Sequence, residues 1–152
     1  MAPRPLLLAA DHAGFELQER LKALLETRGV PFADLGTSSA ESVDYPDYAR
    51  KVAEAVSRGE AERGVLVCGS GQGMAMTANR FPHVRAAVPY DEETARLSRE
   101  HNDSNILALG GRTLDHALAE RMLAIWLETP FAAGRHVRRL EKMDEPVGGP
   151  TQ

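Results

Sequence analysis

The sequence contains a single cysteine, Cys68, among 152 residues. One cysteine cannot form a disulfide within the chain, and a free thiol is typical of a reducing compartment, so we expect a cytoplasmic protein. The apolar run near the start, Leu6–Ala10, ends at Asp11 and is too short for a signal-peptide core or a membrane span. We therefore expect neither export nor membrane insertion.

The sequence also lacks a long block of one charge sign. It has 18 basic and 22 acidic side chains, and its formal net charge is −4. Without a basic arm or patch, nucleic acid and membrane surfaces are not expected as partners. A short basic stretch, residues 135–139, is long enough to bind one small anion.

No linker, repeat or low-complexity segment interrupts residues 1–145. The composition, 43% apolar and 26% charged, is that of one ordinary domain with a core large enough to fold alone. Residues 146–152 are rich in proline and glycine and are predicted to form a flexible tail. We therefore expect a single domain at 1–145.

Short apolar runs alternate with longer segments of helical period, which predicts parallel strands joined by crossover helices. The predicted strands are Leu6–Ala9, Val30–Leu35, Gly64–Cys68, Arg85–Val88 and Ile106–Leu109. The predicted helices lie between them and end near Gly29, Gly59, Arg80, His101 and Thr129, and a last helix spans Arg135–Met143. The expected fold is an α/β three-layer sandwich: a five-stranded parallel sheet with helices on both faces, plus a C-terminal helix.

Ligands of such sheets bind at the carboxyl ends of the strands, so the residues after each strand are candidates for function. Polar and glycine residues stand there: Asp11 and His12, Gly36–Ser38, Cys68 with Gly69–Gly73, Asp91, and Gly110–Arg112. His101, Asn102 and Asp103 precede the fifth strand, and we expect this helix-to-strand loop to fold back toward the same edge.

The glycine-rich loop after the third strand exposes several backbone N–H groups at a helix N-terminus, which suits an anion. It does not match the dinucleotide fingerprint G-x-G-x-x-G, because Met74 stands where the third glycine belongs, and no phosphate-loop lysine follows. A nucleotide-binding role is therefore disfavoured.

Each candidate side chain has a functional and a purely structural interpretation. Cys68 is either a base or nucleophile, whose thiolate the loop amides would stabilise, or a small buried apolar residue. His12 and His101 are either functional or simply hydrogen-bonded. A metal site formed with Asp11 and Asp103 is the competing interpretation, but neither pair has a recognised ligand spacing. Arg135 and Arg139 share one helical face and form either a phosphate site or a solvated basic surface.

Seven segments together resemble the ribose-5-phosphate isomerase B family, which also includes allose-6-phosphate and galactose-6-phosphate isomerases. They run nearly from end to end of the chain: Asp11–Phe15, Asp44–Ala49, Cys68–Gly71, Ala78–Asn79, Ala95–Asp103, Leu107–Arg112 and Gly134–His136. The resemblance implies a Rossmann-like domain that forms a homodimer or a tetramer, with the active site in a cleft between subunits. It also implies that no metal or other cofactor is needed.

The resemblance assigns roles to individual residues. Cys68 is expected to be the base that moves the proton between C1 and C2, because Met74 stands where one branch of the family has a glutamate. His101 is expected to open the furanose ring, with Asp11 and Ser70 in polar contact nearby. The remaining expected substrate-binding residues are His12, Gly69, Gly71, Gly73, Asn102 and Arg112, with Arg135 and Arg139 from the other subunit. The three arginines are expected to hold the phosphate.

The expected function is therefore interconversion of ribose 5-phosphate and ribulose 5-phosphate through an enediolate. Three alternatives remain open: an isomerase of a six-carbon sugar phosphate, a non-catalytic sugar-phosphate-binding module, and one subunit of a two-chain isomerase. Gln72, Met76 with Thr77, and Pro89 with Tyr90 depart from the family pattern. They bear on which sugar is preferred.

Overall fold

A computed structural model describes residues 4–148, which form a five-stranded parallel sheet between two helical layers. The elements are β1 (Leu6–Ala10), α1 (Phe15–Thr27), β2 (Phe32–Asp34), α2 (Tyr45–Ser57), β3 (Gly64–Cys68), α3 (Gln72–Ala78), β4 (Ala86–Ala87), α4 (Glu92–Glu100), β5 (Ile106–Gly110), α5 (His116–Glu128) and α6 (His136–Met143). The predicted fold class is confirmed. Residues 149–152 of the predicted tail lie outside the described residues.

The strand order is β2-β1-β3-β5-β4, so the chain leaves β1 first toward one side of the sheet and later toward the other. A crevice forms at such a switch point, between the carboxyl ends of β1 and β3, and it is where open α/β sheets bind ligands. Leu8 pairs with Val65 and Ala10 with Val67, which brings the ends of these two strands level. Asp11 and Cys68 therefore flank the crevice.

Alternate residues of the buried strands pack into separate cores on the two faces of the sheet. Val65 and Val67 face α1, α4 and α5, in a core that contains Leu21 and Trp126. Leu66 and Cys68 face α2 and α3, in a core with Val52, Met74 and Ala78. The continuous apolar sequence of β3 follows from burial on both faces.

Two predicted strands are shorter in the structure, because side chains and helix ends take up their backbone groups. Val30 donates its N–H to Leu25 of α1, so β2 begins only at Phe32. β4 is an edge strand of two residues, and the Asn79 side chain bonds both the N–H and the carbonyl of Ala86 at 2.7 and 2.9 Å. An edge closed in this way is protected from pairing with another strand.

The helix ends follow the sequence signals closely. Asp91 accepts the N–H of Thr94 at 2.7 Å and forms a capping box at the start of α4. Hydrogen bonds from the Thr94 side chain and backbone hold the pKa of the Asp91 carboxyl below its usual value. α3 ends at Ala78 rather than Arg80, and α6 begins at His136 with Arg135 as its N-cap.

None of the helices within residues 4–148 has the length and apolar character needed to cross a bilayer.

A buried polar network fixes the loop between α4 and β5. The Trp126 indole donates to Ser104 Oγ at 2.8 Å, and Ser98 Oγ lies 2.9 Å from the same atom. Arg99, almost fully buried, donates to the Ser104 carbonyl and to Asp103 Oδ1, each at 2.7 Å. The residues between Arg99 and Ser104, His101 and Asn102 among them, are therefore held rigidly.

Candidate active site

The first half of the candidate site lies at the carboxyl ends of β1 and β3. We call this group, Asp11, His12, Cys68 and Arg112 with the glycine loop, the Cys68 edge. Asp11 is 5% exposed, and its Oδ1 accepts the N–H groups of Ala13 and Gly14 at 2.9 and 3.0 Å. The carboxylate thus shapes the turn that carries His12.

Cys68 ends β3 with its thiol against the glycine loop. The residue is 5% exposed, and its Sγ accepts the N–H of Gly71 at 3.2 Å. Gly71 has φ = +80°, a conformation that a side chain disfavours, and a Cβ there would lie 3.1 Å from the Leu109 carbonyl carbon. Glycine at this position therefore allows the loop to turn its amide onto the sulfur, an arrangement that suits a negatively charged sulfur.

The loop after β5 is bonded to the glycine loop and brings Arg112 to the same edge. Gly111 donates to the Cys68 carbonyl at 2.8 Å and Arg112 to the Gly69 carbonyl at 3.0 Å. The Arg112 side chain passes within 3.8 Å of where a Cβ on Gly69 would stand. Ser70 is exposed, and its only hydrogen bond within residues 4–148 is a long one, 3.4 Å from the Gln72 N–H. The Ser70 hydroxyl is therefore free to turn toward a ligand.

Two contacts at this edge were not predicted from the sequence. The Tyr45 ring covers Gly73 so closely that a Cβ there would lie 2.4 Å from a ring carbon. The Val43 N–H donates to Nδ1 of His12 at 3.1 Å. Tyr45 belongs to a segment that resembles the family pattern, and this resemblance could have marked it as a candidate. The Val43 contact is made by a backbone amide, which a sequence pattern cannot reveal.

The second half of the candidate site lies at the opposite end of the strands, on the side of their amino ends. We call it the His101 edge: His101, Asn102, Arg135, His136 and Arg139. His101 is the C-cap of α4, and its ring stacks on that of His136 with centroids 4.4 Å apart and planes 20° from parallel. Arg135 is the N-cap of α6, and Arg139 follows one helical turn later. Asn102 and both arginines are exposed, His101 is partly buried and His136 is buried, so the arginines and Asn102 form the outer surface of the group.

This edge carries positive charge that acts on the His136 imidazole. Withdrawal from water lowers the pKa of His136 first, and the nearby His101, Arg135 and Arg139 lower it further. His136 is 8% exposed. A neutral imidazole here leaves the arginines as the positive groups available to an anion.

The expectation that the His101 loop folds back to the Cys68 edge of the same chain is wrong. His101 ends α4 and precedes β5, whose first residue pairs with Gly64, whereas Cys68 pairs with the last residue of β5. Four steps along the strand separate these levels by about 13 Å. A helix between parallel strands runs against them, so its C-terminus lies at their amino ends. In one chain His101 and Asn102 join Arg135 and Arg139, not Cys68.

The competing metal site is not assembled in this arrangement. Asp11 and His12 lie at one edge of the sheet, while His101 and Asp103 lie at the other. Asp103 is already paired with Arg99 at 2.7 Å and with Arg85 at 3.4 Å. Within residues 4–148, no three His, Cys, Asp or Glu side chains are grouped so that they could hold a metal ion.

A family described as Ribose/Galactose Isomerase matches residues 6–143 of the chain. The chain belongs to the ribose/galactose isomerase family. Ribose-5-phosphate isomerase B of Escherichia coli is 43% identical to it over 138 residues, which cover 91% of this chain and 93% of the relative.

Solved structures of family members superpose on this chain over nearly its whole length. Ribose-5-phosphate isomerase B of Clostridium thermocellum matches with a TM-score of 0.90 and 45% identity over 92% of this chain and 95% of the other. The enzyme of Mycoplasma genitalium, whose structure contains ribulose 5-phosphate, matches with a TM-score of 0.88 and 34% identity over 92% and 93%. Sequence and fold thus place the chain among the ribose/galactose isomerases.

Proposed function

We propose that the chain is an aldose–ketose isomerase that interconverts ribose 5-phosphate and ribulose 5-phosphate. The single observation that carries the proposal is the Cys68 thiol against the Gly71 amide, at the switch point where open α/β sheets generally bind ligands. Membership of the family supports it, as does the bound ribulose 5-phosphate in the Mycoplasma genitalium relative. We place the reaction in the cytoplasm, where the free Cys68 thiol would stay reduced.

In the proposed proton transfer, Cys68 acts as a thiolate base. It takes the proton from C2 of the open-chain aldose and returns it to C1, while a proton passes between the two oxygens. Negative charge develops on oxygen in the enediolate, and we propose that backbone N–H groups of Gly69 and Gly73 stabilise it while that of Gly71 stabilises the Cys68 sulfur. Met74 stands where one branch of the family has a glutamate, but its thioether is not a base and it is fully buried. Cys68 is therefore the candidate base.

A complete site needs a second copy of the chain. His101, Asn102, Arg135 and Arg139 lie beyond reach of Cys68 in one chain, so we propose a homodimer in which the partner supplies all four. Exposed apolar side chains beside each half suit such a contact: Met76 on α3, 69% exposed, and Val137 on α6, 40% exposed. Pairing of two such dimers into a tetramer is compatible with this arrangement.

In the assembled site each half has a distinct task. His101 protonates the ring oxygen and takes the anomeric proton, because an imidazole can both donate and accept a proton. Arg135 and Arg139 hold the phosphate, while His12, Arg112, Asp11 and Ser70 form the polar wall around the sugar. The phosphate contacts position the reacting carbons, so loss of the phosphate should lower turnover as well as affinity.

The proposal is tested by steady-state isomerisation of ribose 5-phosphate, allose 6-phosphate and galactose 6-phosphate by the purified chain in the presence of EDTA. We expect the highest kcat/KM for ribose 5-phosphate, with no loss on chelation. Preference for a six-carbon substrate would transfer the proposal to that sugar. Inactivity on all three, with ribose 5-phosphate still protecting Cys68 from iodoacetamide, would favour a binding module; inactivity without protection would favour a subunit that needs a different partner chain.

A further inference from the structure

A surface loop borders the Cys68 edge and is fixed at both ends. Before it, the Thr37 N–H donates to the Ala10 carbonyl at 3.0 Å. After it, the Tyr45 ring lies on Gly73. Between these anchors residues 38–44 are mostly exposed. We call residues 38–44 the border loop.

One hydrogen bond joins the border loop to the crevice. The Val43 N–H donates to Nδ1 of His12 at 3.1 Å, and both residues are partly buried. A ring nitrogen that accepts a hydrogen bond carries no proton, so a neutral His12 must carry its proton on Nε2. Within residues 4–148 the ring makes no other hydrogen bond, so Nε2–H has no protein acceptor.

We infer that the Val43 amide fixes His12 as a hydrogen-bond donor to the sugar phosphate, and that ligand bound to His12 in turn holds the border loop in place. His12 follows β1 at the switch point, on the same edge as Cys68. The inference rests on the proposed function, since it concerns how that site takes its substrate. In this inference Val43 is a positioning residue, and the border loop becomes more ordered when substrate is bound to His12.

The coupling follows from the chemistry of imidazole. When Nε2–H donates to an oxygen of the ligand, electron density moves toward Nδ1, which becomes a better acceptor for the Val43 N–H. Binding therefore tightens the loop, and by reciprocity a tight loop favours binding. In this tautomer Nε2 already carries a proton, and the lone pair of Nδ1 accepts the Val43 N–H, so neither ring nitrogen is free to take the C2 proton and His12 does not replace Cys68 as the base.

The first test is NMR of the full chain labelled with ¹⁵N in histidine and backbone. We expect the His12 signals of the tautomer with unprotonated Nδ1, and a Val43 amide that exchanges with solvent more slowly than the amide of exposed Ser42. Ribose 5-phosphate should slow Val43 exchange further, by several-fold. The tautomer protonated on Nδ1, or Val43 exchange that matches Ser42 and ignores the ligand, would overturn the inference.

Two substitutions separate the two ring nitrogens. His12→Asn places an oxygen near the position of Nδ1, so it should keep Val43 protected while KM rises. His12→Gln places an amide near the position of Nε2, so it should keep more of the affinity while Val43 protection is lost. If both variants protect Val43 equally, the assignment of the two nitrogens is wrong.

These readouts also distinguish this inference from the proposed function. The tautomer and the Val43 exchange rate are measured without turnover. A chain with the expected tautomer and a protected Val43, but without isomerase activity, would overturn the proposed function alone. An active isomerase with the opposite tautomer would overturn this inference alone.

Discussion

A thiol at the end of a buried strand becomes a useful base only if something stabilises its anion. At Cys68 that group is the Gly71 N–H, 3.2 Å from the sulfur. Cys68→Ala removes the proposed base and the acceptor of the Gly71 N–H, while the proposed phosphate-binding residues stay unchanged. We expect kcat to fall by about 10²- to 10⁴-fold, the usual value of general base catalysis, with binding of ribose 5-phosphate nearly intact.

Cys68→Ser is the matched control for shape. Its hydroxyl can still accept from Gly71, but an alcohol is too weak an acid to supply the anion. We expect it to be as impaired as Cys68→Ala in steady-state assays, and calorimetric titration with ribose 5-phosphate reports the binding of both variants. Turnover near that of the natural chain in either variant would show that Cys68 is not the base.

The stacked imidazole of His136 makes stability depend on pH. Its pKa is lowered in the folded chain, first by withdrawal from water and then by His101, Arg135 and Arg139. The unfolded chain therefore takes up the proton at higher pH, and the contribution of this group to stability is lost as the pH falls below its ordinary value of 6.5.

His136→Phe keeps a stacked ring but has no site for a proton. We expect its urea midpoint to fall less than that of the natural chain when the pH is lowered from about 7.5 to about 5. Equal falls for the two proteins would contradict the lowered pKa.

The candidate residues could be named from the sequence because strand ends and the family pattern mark them. Cys68, Asp11 and His12 do lie together beside the glycine loop. The His101–His136 stack and the Val43 amide could not be predicted, since one needs the packing of α6 on α4 and the other is a backbone group. Sequence patterns mark which side chains matter more readily than which groups orient them.

At the scale of elements, α6 is held to the rest of the chain by few contacts. Of its eight residues only His136 and Leu140 are buried, and its end is tied down by the pair of Asp144 and Arg85 at 3.1 Å. Arg85 also contacts Asp103, two residues after His101. This bridge joins α6, which carries Arg139, to the loop that carries His101.

Asp144→Asn should therefore loosen the position of α6 more than it lowers stability. The ion pair is partly exposed, so its loss should cost about 1 kcal/mol or less of unfolding free energy. We expect KM for ribose 5-phosphate to rise several-fold with a smaller change in kcat, because Arg135 and Arg139, the proposed phosphate-binding residues, would be displaced. Glu141→Gln, an equal change of charge at an exposed position of the same helix, should leave KM unchanged; equal effects of the two variants would contradict the bridge.

The helices, and the succession of strands along the chain, could be predicted because their periodicity and stop signals are local. The lengths of β2 and β4 could not, since they depend on distant partners: the Asn79 side chain at the edge of β4, and Leu25 as acceptor for Val30 at the start of β2. The spatial order β2-β1-β3-β5-β4 is also absent from local patterns. That order is what puts the crevice between β1 and β3.

At the scale of the whole molecule, the candidate site is divided between two edges of one sheet. The sequence predicts His101 beside Cys68 because both lie next to strands, but the direction of the strands decides at which end of the sheet each residue lies. Cys68 is the last residue of β3 and His101 precedes β5, which runs parallel to β3, so the two residues lie at opposite ends of these strands. A second copy resolves this separation only if its His101 edge meets the Cys68 edge of the first, which gives two equivalent sites in a twofold dimer.

Mixing two inactive variants tests that division. Cys68→Ala and His101→Asn homodimers each carry one defect in both sites. A mixed dimer instead has one site with both defects and one site with neither. Random exchange of equal amounts makes half of the dimers mixed, so activity should return to about a quarter of that of the natural chain.

The variants are co-refolded from urea and assayed on ribose 5-phosphate, with Cys68→Ala mixed with Cys68→Ser as the control that should not recover. If both residues served the site of the same chain, no mixture could restore an intact site, and activity would stay at the level of the separate variants.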